Sequence, residues 1–253
     1  MADLAHLAHR LDQAALSATA VPQLAEPLSL GDAYGVQELA MAERYGRGER
    51  RIGIKMGFTS RAKMAQMGVH EMIWGTLTDR MLIENGATLA RSRFVHPRVE
   101  PEIAFLLTAP LAGRIDPMTA MTAVGGIAAA MEIIDSRYQN FKFSLTDVVA
   151  DNASSAALII GPWRSPDIDF ANLGMVMEID GVARQVGSSA AILGHPIHSL
   201  VAAARLMEQR GETLLAGDIV LAGAATAAEP LSPDQHVRLS VQGLGSISFN
   251  VGD

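Results

Sequence analysis

Residues 96–107 read HPRVEPEIAFLL, a charged segment that runs directly into an apolar one. The apolar half, Ile103–Leu107, is typical of a short buried strand. If the strand includes the acidic residues before it, Glu100 and Glu102 point to the same face and lie about 6.5–7 Å apart along the chain. Two like charges at that separation repel each other unless a cation lies between them or one carboxylate is protonated. The stretch therefore predicts a strand that carries a candidate cation site.

A third carboxylate has similarly apolar surroundings. Glu132 lies in GGIAAAMEIID, residues 125–135, and Asp135 follows it three positions later. A buried carboxylate without a partner costs free energy, and a cluster of such oxygens suits a hard cation such as Mg²⁺. Two plainer interpretations stay open on spacing alone. The acidic pair could lie on a solvated strand face, and Glu132 could pair with Arg137.

The chain around this stretch is rich in predicted strands. From Ile52 onward, short apolar runs are separated by Gly, Pro and Asp, which is the pattern of a β-rich domain. In the last run, apolar and polar residues alternate, so one face of that strand is expected to be buried. The clearest strands are predicted at Ile103–Leu107, Ala157–Ile160, Met175–Ile179, Ile219–Leu221, Val237–Val241 and Ser246–Val251.

Helices are predicted at the N-terminus and once near the C-terminal end. The first carries apolar residues at helical spacing from Leu4, and the second is predicted to start with Asp32 as its N-cap and to end at Gly46. A late helix is predicted to begin at His198 or Ser199 and to stop before Gly211. We therefore predict an α+β fold, with a helical N-terminal region at residues 1–75 and a β-rich catalytic domain at residues 76–253.

Composition excludes several kinds of site and partner. The 253-residue chain has no cysteine, which excludes disulfides, thiolate nucleophiles, iron–sulfur clusters and cysteine zinc sites. Its formal net charge is −7 without a block of Lys or Arg, which argues against nucleic acid and anionic membranes as main partners. No signal-peptide core occurs, and no apolar run approaches the roughly 20 residues of a membrane span. We expect a cytoplasmic protein that holds any metal through oxygen or imidazole ligands.

Other polar residues are weaker candidates. Lys55 lies in a short apolar segment, where its pKa could fall or its charge could hold an anion; a surface lysine is the alternative. Residues 135–155, DSRYQNFKFSLTDVVADNASS, are dense in polar groups, which is typical of loops that line sites and also of turns in general. His96 is a candidate ligand, although a single histidine is more often structural. No P-loop, dinucleotide fingerprint, GxSxG elbow or HExxH motif is present.

Several motifs together resemble one known group of enzymes. They are G-x-K-M-G-x-T-S at 53–60, HPRVEPEIAF at 96–105, MEIIDSR at 131–137 and VADNASS at 149–155. These motifs resemble the hydratase/decarboxylase group of the fumarylacetoacetate hydrolase superfamily. The resemblance extends to Ala33-Tyr34-x-Val-Gln37 and to L-x-A-G-D-I-V-L-A-G at 214–223, and so covers nearly the whole chain. Within the group, the segments HPRVEPEIAF and KFSLTDVVADNASS are more similar to those of the 2-oxo-3-hexenedioate decarboxylases than to those of the 2-oxopent-4-enoate hydratases.

The resemblance implies a β-rich roll, a divalent metal and a set of site residues. Glu100, Glu102 and Glu132 match the metal ligands for Mg²⁺ or Mn²⁺, and Lys55 matches the active-site lysine. Thr226 falls where the superfamily often has a substrate-contacting threonine. Asp79 could replace an acid that the hydratases carry where this chain has Arg80. The substrate contacts predicted in all are Ser60, Asp79, Arg137, Lys142, Ser154 and Thr226.

The reaction implied is decarboxylation of 2-oxo-3-hexenedioate to 2-hydroxypenta-2,4-dienoate in aromatic meta-cleavage catabolism, through an enolate held on the metal. A 2-oxopent-4-enoate hydratase would use the same metal site, and a non-catalytic partner subunit is the alternative of another class. An acylpyruvate hydrolase would need a water-activating His–Glu pair, for which only His96 is near the acidic residues. The resemblance also implies a complex with a 2-oxopent-4-enoate hydratase, and homo-oligomerisation is expected.

Overall fold

The computed structural model describes residues 3–24, 26–60, 64 and 71–253. Within these ranges the α-helices are α1 (Leu4–Ser17), α2 (Leu30–Gly46), α3 (Pro117–Thr122), α4 (Leu145–Ala150) and α5 (Ile197–Gln209). The strands are β1 (Arg51–Gly57), β2 (Ile73–Thr78), β3 (Leu82–Ile83), β4 (Thr88–Ala90), β5 (Arg98–Leu107), β6 (Val124–Ile134), β7 (Ser155–Ile160), β8 (Gly174–Ile179), β9 (Val182–Ser188), β10 (Ile219–Leu221), β11 (Glu229–Pro230), β12 (His236–Val241) and β13 (Gly245–Gly252).

The two N-terminal helices have well-defined caps. The Asp3 side chain accepts a hydrogen bond from His6 N at 3.1 Å, which caps α1. The predicted cap of α2 was wrong. Ser29 takes that position, and its hydroxyl accepts from Asp32 N at 3.0 Å, so Asp32 lies inside the first turn. An acidic residue there still favours the helix, because it faces the positive end of the helix dipole.

Helix α2 holds the elements that flank the candidate site. The Tyr34 ring stacks on Trp74 of β2, with the ring centroids 5.3 Å apart. The buried amide of Gln37 donates to Trp74 O at 3.1 Å and to Val149 O in α4 at 3.0 Å. Tyr34 and Gln37 both lie in the Ala33–Gln37 motif, so this motif packs the helical N-terminal region against the strands.

The larger sheet has the strand order β2-β1-β10-β5-β6-β7-β3, and β11 pairs with β5. Antiparallel pairing dominates, although β1 runs parallel to β10, and β3 runs parallel to β7. The predicted domain boundary between residues 75 and 76 stays a prediction. β1 precedes that boundary and β2 spans it, and both are strands of this sheet.

The smaller sheet has the order β4-β13-β12-β8-β9 and packs against the larger one. Phe105 and Ile127 of the larger sheet belong to the same apolar cluster as Leu239 and Phe249 of the smaller sheet, and all four are fully buried. On the other face of the larger sheet, alternate residues form a second apolar cluster, which includes Ala104. The candidate site lies on this second face.

The predicted fold class is confirmed, with mixed sheets and a helical N-terminal region. All six predicted strands are present, and a turn at residues 242–244 joins β12 to β13. The late helix begins at Ile197, one residue earlier than predicted. Strand β6 was not predicted, because its Gly- and Ala-rich sequence does not alternate. No helix among the described residues is both long and apolar enough to cross a bilayer.

Candidate metal centre and active site

The register between β5 and β6 places the three acidic residues together. Glu100 is the direct register partner of Glu132. Glu102 lies two residues further along β5, so its side chain points to the same face. One carboxylate oxygen of each residue lies within 4.8 Å of the other two. Glu102 and Glu132 are fully buried and Glu100 is partly buried. The three carboxylates thus form one cluster at the edge of the interior.

Small side chains leave room for this cluster. Ala130 is the register partner of Glu102, and Ala104 and Ala128 continue the same face of the two strands. Larger residues at these positions would fill the space beside the carboxylates. The Gly- and Ala-rich sequence of β6, which concealed the strand from sequence analysis, therefore has a local structural role.

The acidic cluster is short of hydrogen-bond donors. Glu102 Oε2 accepts from the backbone N–H of Gly223 at 2.7 Å. Glu102 Oε1 and Glu132 Oε1 are buried and accept no hydrogen bond from any described residue. Burial and the neighbouring Glu132 carboxylate raise the pKa of Glu102 well above its ordinary value. Buried carboxylate oxygens without donors are ligands that Mg²⁺ and Mn²⁺ prefer, so the residues present fit a hard divalent cation.

Lys55 of β1 reaches this cluster from the side. Its Nζ lies 3.0 Å from Glu132 Oε2 and donates to Ala153 O at 3.1 Å. Burial lowers the pKa of Lys55, but the carboxylates of Glu132, Glu100 and Glu102 outweigh burial and raise it overall. Lys55 is therefore a buried cation, and the interpretations as a surface lysine or as one with a depressed pKa were wrong.

The acceptor of Lys55 belongs to an unusual turn. Asn152, Ala153 and Ser154 all have positive φ angles, of 51°, 49° and 59°. This left-handed region is unfavourable for residues with a Cβ and is commonest at functional sites. The Asn152 side chain stabilises the turn, because it accepts from Thr76 N at 2.7 Å and donates to Thr76 O at 2.9 Å. The turn is thus tied to β2, next to the strand that carries Lys55.

A cavity of about 230 Å³ opens in front of these groups. Lys55 and Glu100 lie in its wall with polar residues of the segment after β1 and of the left-handed turn. Much of the remaining wall is apolar, and it includes Phe58, Ile73, Ile134, Phe141, Phe143 and Val148. A concave, mostly apolar cavity with a few convergent polar groups is the usual form of a small-molecule site.

Two of the six predicted substrate contacts line this cavity. Ser60 follows β1 and Ser154 ends the left-handed turn. The Ser154 hydroxyl oxygen is buried and has no hydrogen-bond partner among the described residues. A buried hydroxyl of this kind is available to a bound molecule.

Two other predicted contacts, Asp79 and Lys142, are not among the residues that line the cavity. Asp79 follows β2 at the end paired with Arg51, whereas the cavity lies near the Lys55 end. The Asp79 carboxylate accepts from Arg50 N at 2.9 Å and from Arg50 Nε at 3.2 Å. Lys142 is exposed to solvent between two phenylalanines that line the cavity.

Arg137 and Thr226 also lie outside the cavity lining. The Arg137 guanidinium is buried in a pair with Asp151, and it donates as well to backbone oxygens of Asp135, Asp151 and Ser155. Its donors are therefore already used within the protein. Thr226 Oγ1 donates to Ala227 O at 3.1 Å, and Ala224, not Thr226, lines the cavity.

One cation that was not predicted stacks on a side chain of the cavity wall. The guanidinium carbon of Arg98 lies 4.2 Å from the centroid of the Phe141 ring. Phe141 lines the cavity, and so does Ile134, the register partner of Arg98. Arg98 precedes Glu100 by two residues on the same strand, so the shared face was readable from the E-x-E spacing.

The sequence and the architecture have counterparts in known proteins. Residues 51–252 match the family described as fumarylacetoacetate (FAA) hydrolase, C-terminal. The chain belongs to this family. Its N-terminal helices lie before the matched residues, which cover the two sheets and the three carboxylates.

Two curated relatives cover almost all of this family member. A 4-oxalocrotonate decarboxylase from Pseudomonas sp. is 55% identical over 249 residues, which are 98% of this chain and 97% of the relative. The 2-keto-4-pentenoate hydratase 1 of Dechloromonas aromatica is 33% identical over 244 residues, which are 94% of this chain and 93% of the relative.

A solved structure has the same fold over nearly the whole chain. The 4-oxalocrotonate decarboxylase from Pseudomonas putida G7, complexed with magnesium and adipate, superposes with a TM-score of 0.95. It is 38% identical in sequence and the match covers 98% of this chain and 97% of that chain. The helical N-terminal region is therefore part of the shared architecture.

Proposed function

We propose that this chain is a divalent-metal-dependent carboxy-lyase that decarboxylates 2-oxo-3-hexenedioate (4-oxalocrotonate) to 2-hydroxypenta-2,4-dienoate. The observation that carries the proposal is the buried cluster of Glu100, Glu102 and Glu132, which lies beside Lys55 at the wall of a mostly apolar cavity. The 55% identity to a 4-oxalocrotonate decarboxylase supports the choice of reaction. We place the activity in aromatic meta-cleavage catabolism.

The metal proposed is Mg²⁺, with Mn²⁺ as a substitute, and its ligands are the three glutamates. The orphaned oxygens of Glu102 and Glu132 support this assignment. The related decarboxylase whose structure contains magnesium also contains adipate. Adipate is a six-carbon dicarboxylate like 2-oxo-3-hexenedioate. When bound, the cation would supply Lewis-acid polarisation of the 2-oxo group.

The chain itself has to stabilise negative charge on the C2 oxygen. Loss of CO₂ breaks the C5–C6 bond, and the electron pair moves through the C3–C4 double bond toward that oxygen. Lys55 is held in its charged form by the carboxylates around it, and its ammonium has three N–H donors. One donor is used by Ala153 O, and Nζ also forms an ion pair with Glu132 Oε2, so we assign a remaining donor to the developing charge.

The apolar wall suits loss of CO₂ because it limits the access of water. Phe58, Phe141 and Phe143 line the cavity, and a water-excluded site strengthens the interaction of Lys55 with negative charge. No metal ligand or general base is needed at the far end of the substrate for this reaction. Arg98, stacked on Phe141, is the cation we propose for binding the carboxylate that leaves.

The second candidate function is 2-oxopent-4-enoate hydratase. It is favoured by the 33% identity to a 2-keto-4-pentenoate hydratase and by the fact that one metal centre can serve both reactions. The reactions differ in the group that must act at the far carbon. A hydratase needs a base that activates water, and the predicted candidate Asp79 is paired with Arg50 away from the cavity.

A substrate comparison separates the two functions. Purified protein with saturating Mg²⁺ would be given 2-oxo-3-hexenedioate in one assay and 2-hydroxypenta-2,4-dienoate in the other. CO₂ release from the first, with a kcat/KM at least about 100-fold above that for hydration of the second, is the expected result. Hydration without CO₂ release would transfer the chain to the hydratases. Silence on both substrates would reject both activities and leave the non-catalytic partner subunit.

We also propose a homo-oligomer and a complex with a 2-oxopent-4-enoate hydratase in the cytoplasm. The product of the proposed reaction is the substrate of such a hydratase, so contact between the two would limit loss of a reactive dienol. Light scattering of the chain alone, and co-purification with the hydratase from a cytosolic fraction, test these proposals. A monomer that does not retain the hydratase at micromolar concentrations would contradict them.

A further inference from the structure

A second cavity, of about 170 Å³, lies apart from the candidate active site. It shares no lining residue with the first cavity. The C-terminal end of β6 lies between the two cavities. Ile134, its last residue, lines the first cavity, and Asp135, the next residue, lines the second. Five arginines line this second cavity: Arg44, Arg47, Arg80, Arg93 and Arg137.

Two of these arginines are held by buried carboxylates. Arg47 donates through both terminal nitrogens to Asp12, each at 2.7 Å. Arg137 pairs with Asp151. Both therefore contribute positive charge to the cavity wall, but their hydrogen bonds are already made.

Arg44 is different because its hydrogen-bonding capacity is not filled. Its nearest carboxylate oxygens belong to Asp12 and Glu49, at 3.8 Å and 3.9 Å, which is too far for good hydrogen bonds. Its side chain is nevertheless only 15% exposed. Burial and the charge of Arg137 lower the pKa of Arg44. The Arg44 guanidinium is therefore largely buried at the cavity wall, and its N–H donors have no close acceptor among the described residues.

Arg80 and Arg93 complete the wall from the solvent side. Both are exposed, and neither pairs with a carboxylate among the described residues. The two carboxylates that line the cavity are already engaged. Glu49 accepts from Thr78 Oγ1 at 2.5 Å, and the Asp135 oxygens accept from Val95 N and His96 N. The five arginines outnumber the four carboxylates that line the cavity or pair with its arginines, so positive charge is in excess here in a protein whose net charge is −7.

We propose that this cavity binds a small dianion, either a phosphate group or a short dicarboxylate. Guanidinium groups recognise both through paired N–H donors, and adjacent arginines lower the cost of bringing two negative charges together. The volume is below the roughly 300–1,000 Å³ of sites for drug-sized ligands, which suits an anion of a few heavy atoms. Arg44, Arg80 and Arg93 would donate hydrogen bonds to the anion. The paired arginines, Arg47 and Arg137, would contribute only to the electrostatic potential of the cavity.

The test uses metal-free protein in excess chelator, so that the acidic cluster binds no anion through a cation. Inorganic phosphate and malonate are titrated separately by calorimetry at constant ionic strength. The wild type is compared with Arg80→Gln/Arg93→Gln, with Arg44→Lys, and with the control Arg114→Gln/Arg184→Gln. The control removes the same charge from exposed arginines that do not line either cavity.

We expect at least one anion to bind the wild type and the control equally. The cavity variants should bind it about tenfold or more weakly, because they lose charged hydrogen bonds to the anion. Arg44→Lys keeps the charge but loses the planar fork, so its effect should also exceed that of the control. Binding of phosphate alone or malonate alone would identify the source of the dianion. Absence of binding, or equal weakening in the control, would overturn the proposal. So would a wild-type oligomer that dissociates in the double variant without anion binding, since the arginines would then serve an interface.

Discussion

Glu100 on β5 and Glu132 on β6 are direct antiparallel register partners, with carboxylate oxygens in one cluster that spans at most 4.8 Å. Like charges directly opposite each other destabilise a sheet. The pairing is compatible with the fold because Lys55 lies 3.0 Å from Glu132 and because a divalent cation would be held between the carboxylates. The strand register is thus the structural cause of the candidate metal centre.

We predict that Glu100→Gln stabilises the metal-free protein and abolishes its stabilisation by Mg²⁺. Removing the charge opposite Glu132 should raise the free energy of unfolding by about 0.2–1 kcal/mol, since Glu100 is the direct register partner of Glu132. Thermal unfolding with and without Mg²⁺ measures both effects. Exposed Glu84→Gln is the matched control. A metal-free variant less stable than the wild type would contradict this view of the pair.

The affinity for metal should rise with pH. Because the pKa of Glu102 is raised by burial and by Glu132, the metal-free protein holds a proton there at pH values where an ordinary carboxylate is ionised. The cation has to displace that proton, so apparent affinity increases up to the raised pKa and then levels off. Calorimetry in two buffers of different ionisation enthalpy should detect proton release. Proton-free binding with the same affinity from about pH 5 to 8 would contradict the prediction.

The stability of the metal-free protein should change in the opposite sense. A carboxyl group whose pKa is higher in the folded state binds more protons there than in the unfolded chain. Stability is therefore greatest below the ordinary pKa and falls as pH rises through the raised value for Glu102. Urea unfolding at several pH values, with Glu102→Gln as comparison, measures this. The variant should lose the corresponding part of the pH dependence.

Asn152→Ala should lower kcat more than it raises KM. The Asn152 amide ties the left-handed turn to Thr76, and Ala153 in that turn accepts from Lys55. Misplacement of Lys55 should reduce kcat on the order of 100-fold. Asn250→Ala, at an exposed position of β13, is the control and should keep wild-type kinetics. Wild-type kcat in Asn152→Ala would show that the turn does not position Lys55.

Gly223→Ala should weaken both folding and metal binding. Gly223 has φ 102°, and a Cβ there would lie 2.0 Å from Thr59 Oγ1. The backbone would have to shift, and Glu102 Oε2 would lose the hydrogen bond that it accepts from Gly223 N. We expect a loss of about 1–3 kcal/mol in stability and weaker Mg²⁺ binding. Gly174→Ala is the control, because its nearest neighbour would lie 3.6 Å away. Equal effects of the two substitutions would be inconsistent with this role of Gly223.

Arg98→Gln should raise KM for 2-oxo-3-hexenedioate by about tenfold or more, because a charged hydrogen bond contributes about 1.5–3 kcal/mol. The reason is its position on the Glu100 face of β5, stacked on Phe141 at the cavity wall. Metal affinity should stay unchanged, which separates this variant from the ligand variants. Exposed Arg238→Gln is the control. An unchanged KM would remove Arg98 from the substrate site.

The sequence predicted the parts of the site that depend on local spacing. The E-x-E pattern on an apolar strand placed Glu100 and Glu102 on one face, and the apolar surroundings of Glu132 predicted its burial. The pairing of Glu100 with Glu132 could not be read, because register between distant strands depends on the whole sheet. The prediction that Glu100, Glu102 and Glu132 form one metal site came from the resemblance to known enzymes and not from residue spacing.

Roles that depend on non-local partners were the ones missed. Arg137 follows β6, the strand that carries Glu132, in a polar segment. Only the folded structure shows that its guanidinium is paired with Asp151. Asp79 likewise follows a strand of the site, but at the end that lies away from the cavity. The left-handed turn at Asn152 carries no glycine, so its sequence gave no local signal of the conformation.

The central claim is that decarboxylation depends on a metal held by Glu100, Glu102 and Glu132. The most direct test is the rate of CO₂ release from 2-oxo-3-hexenedioate as Mg²⁺ is added back to metal-stripped protein, for the wild type and for the three single Glu→Gln variants. We predict no release without metal, saturable activation of the wild type, and at least about a 100-fold loss of activation in each variant, because removal of a charged ligand leaves the others unable to hold the cation. Metal-independent release by the wild type, or normal Mg²⁺ activation of the variants, would contradict the account.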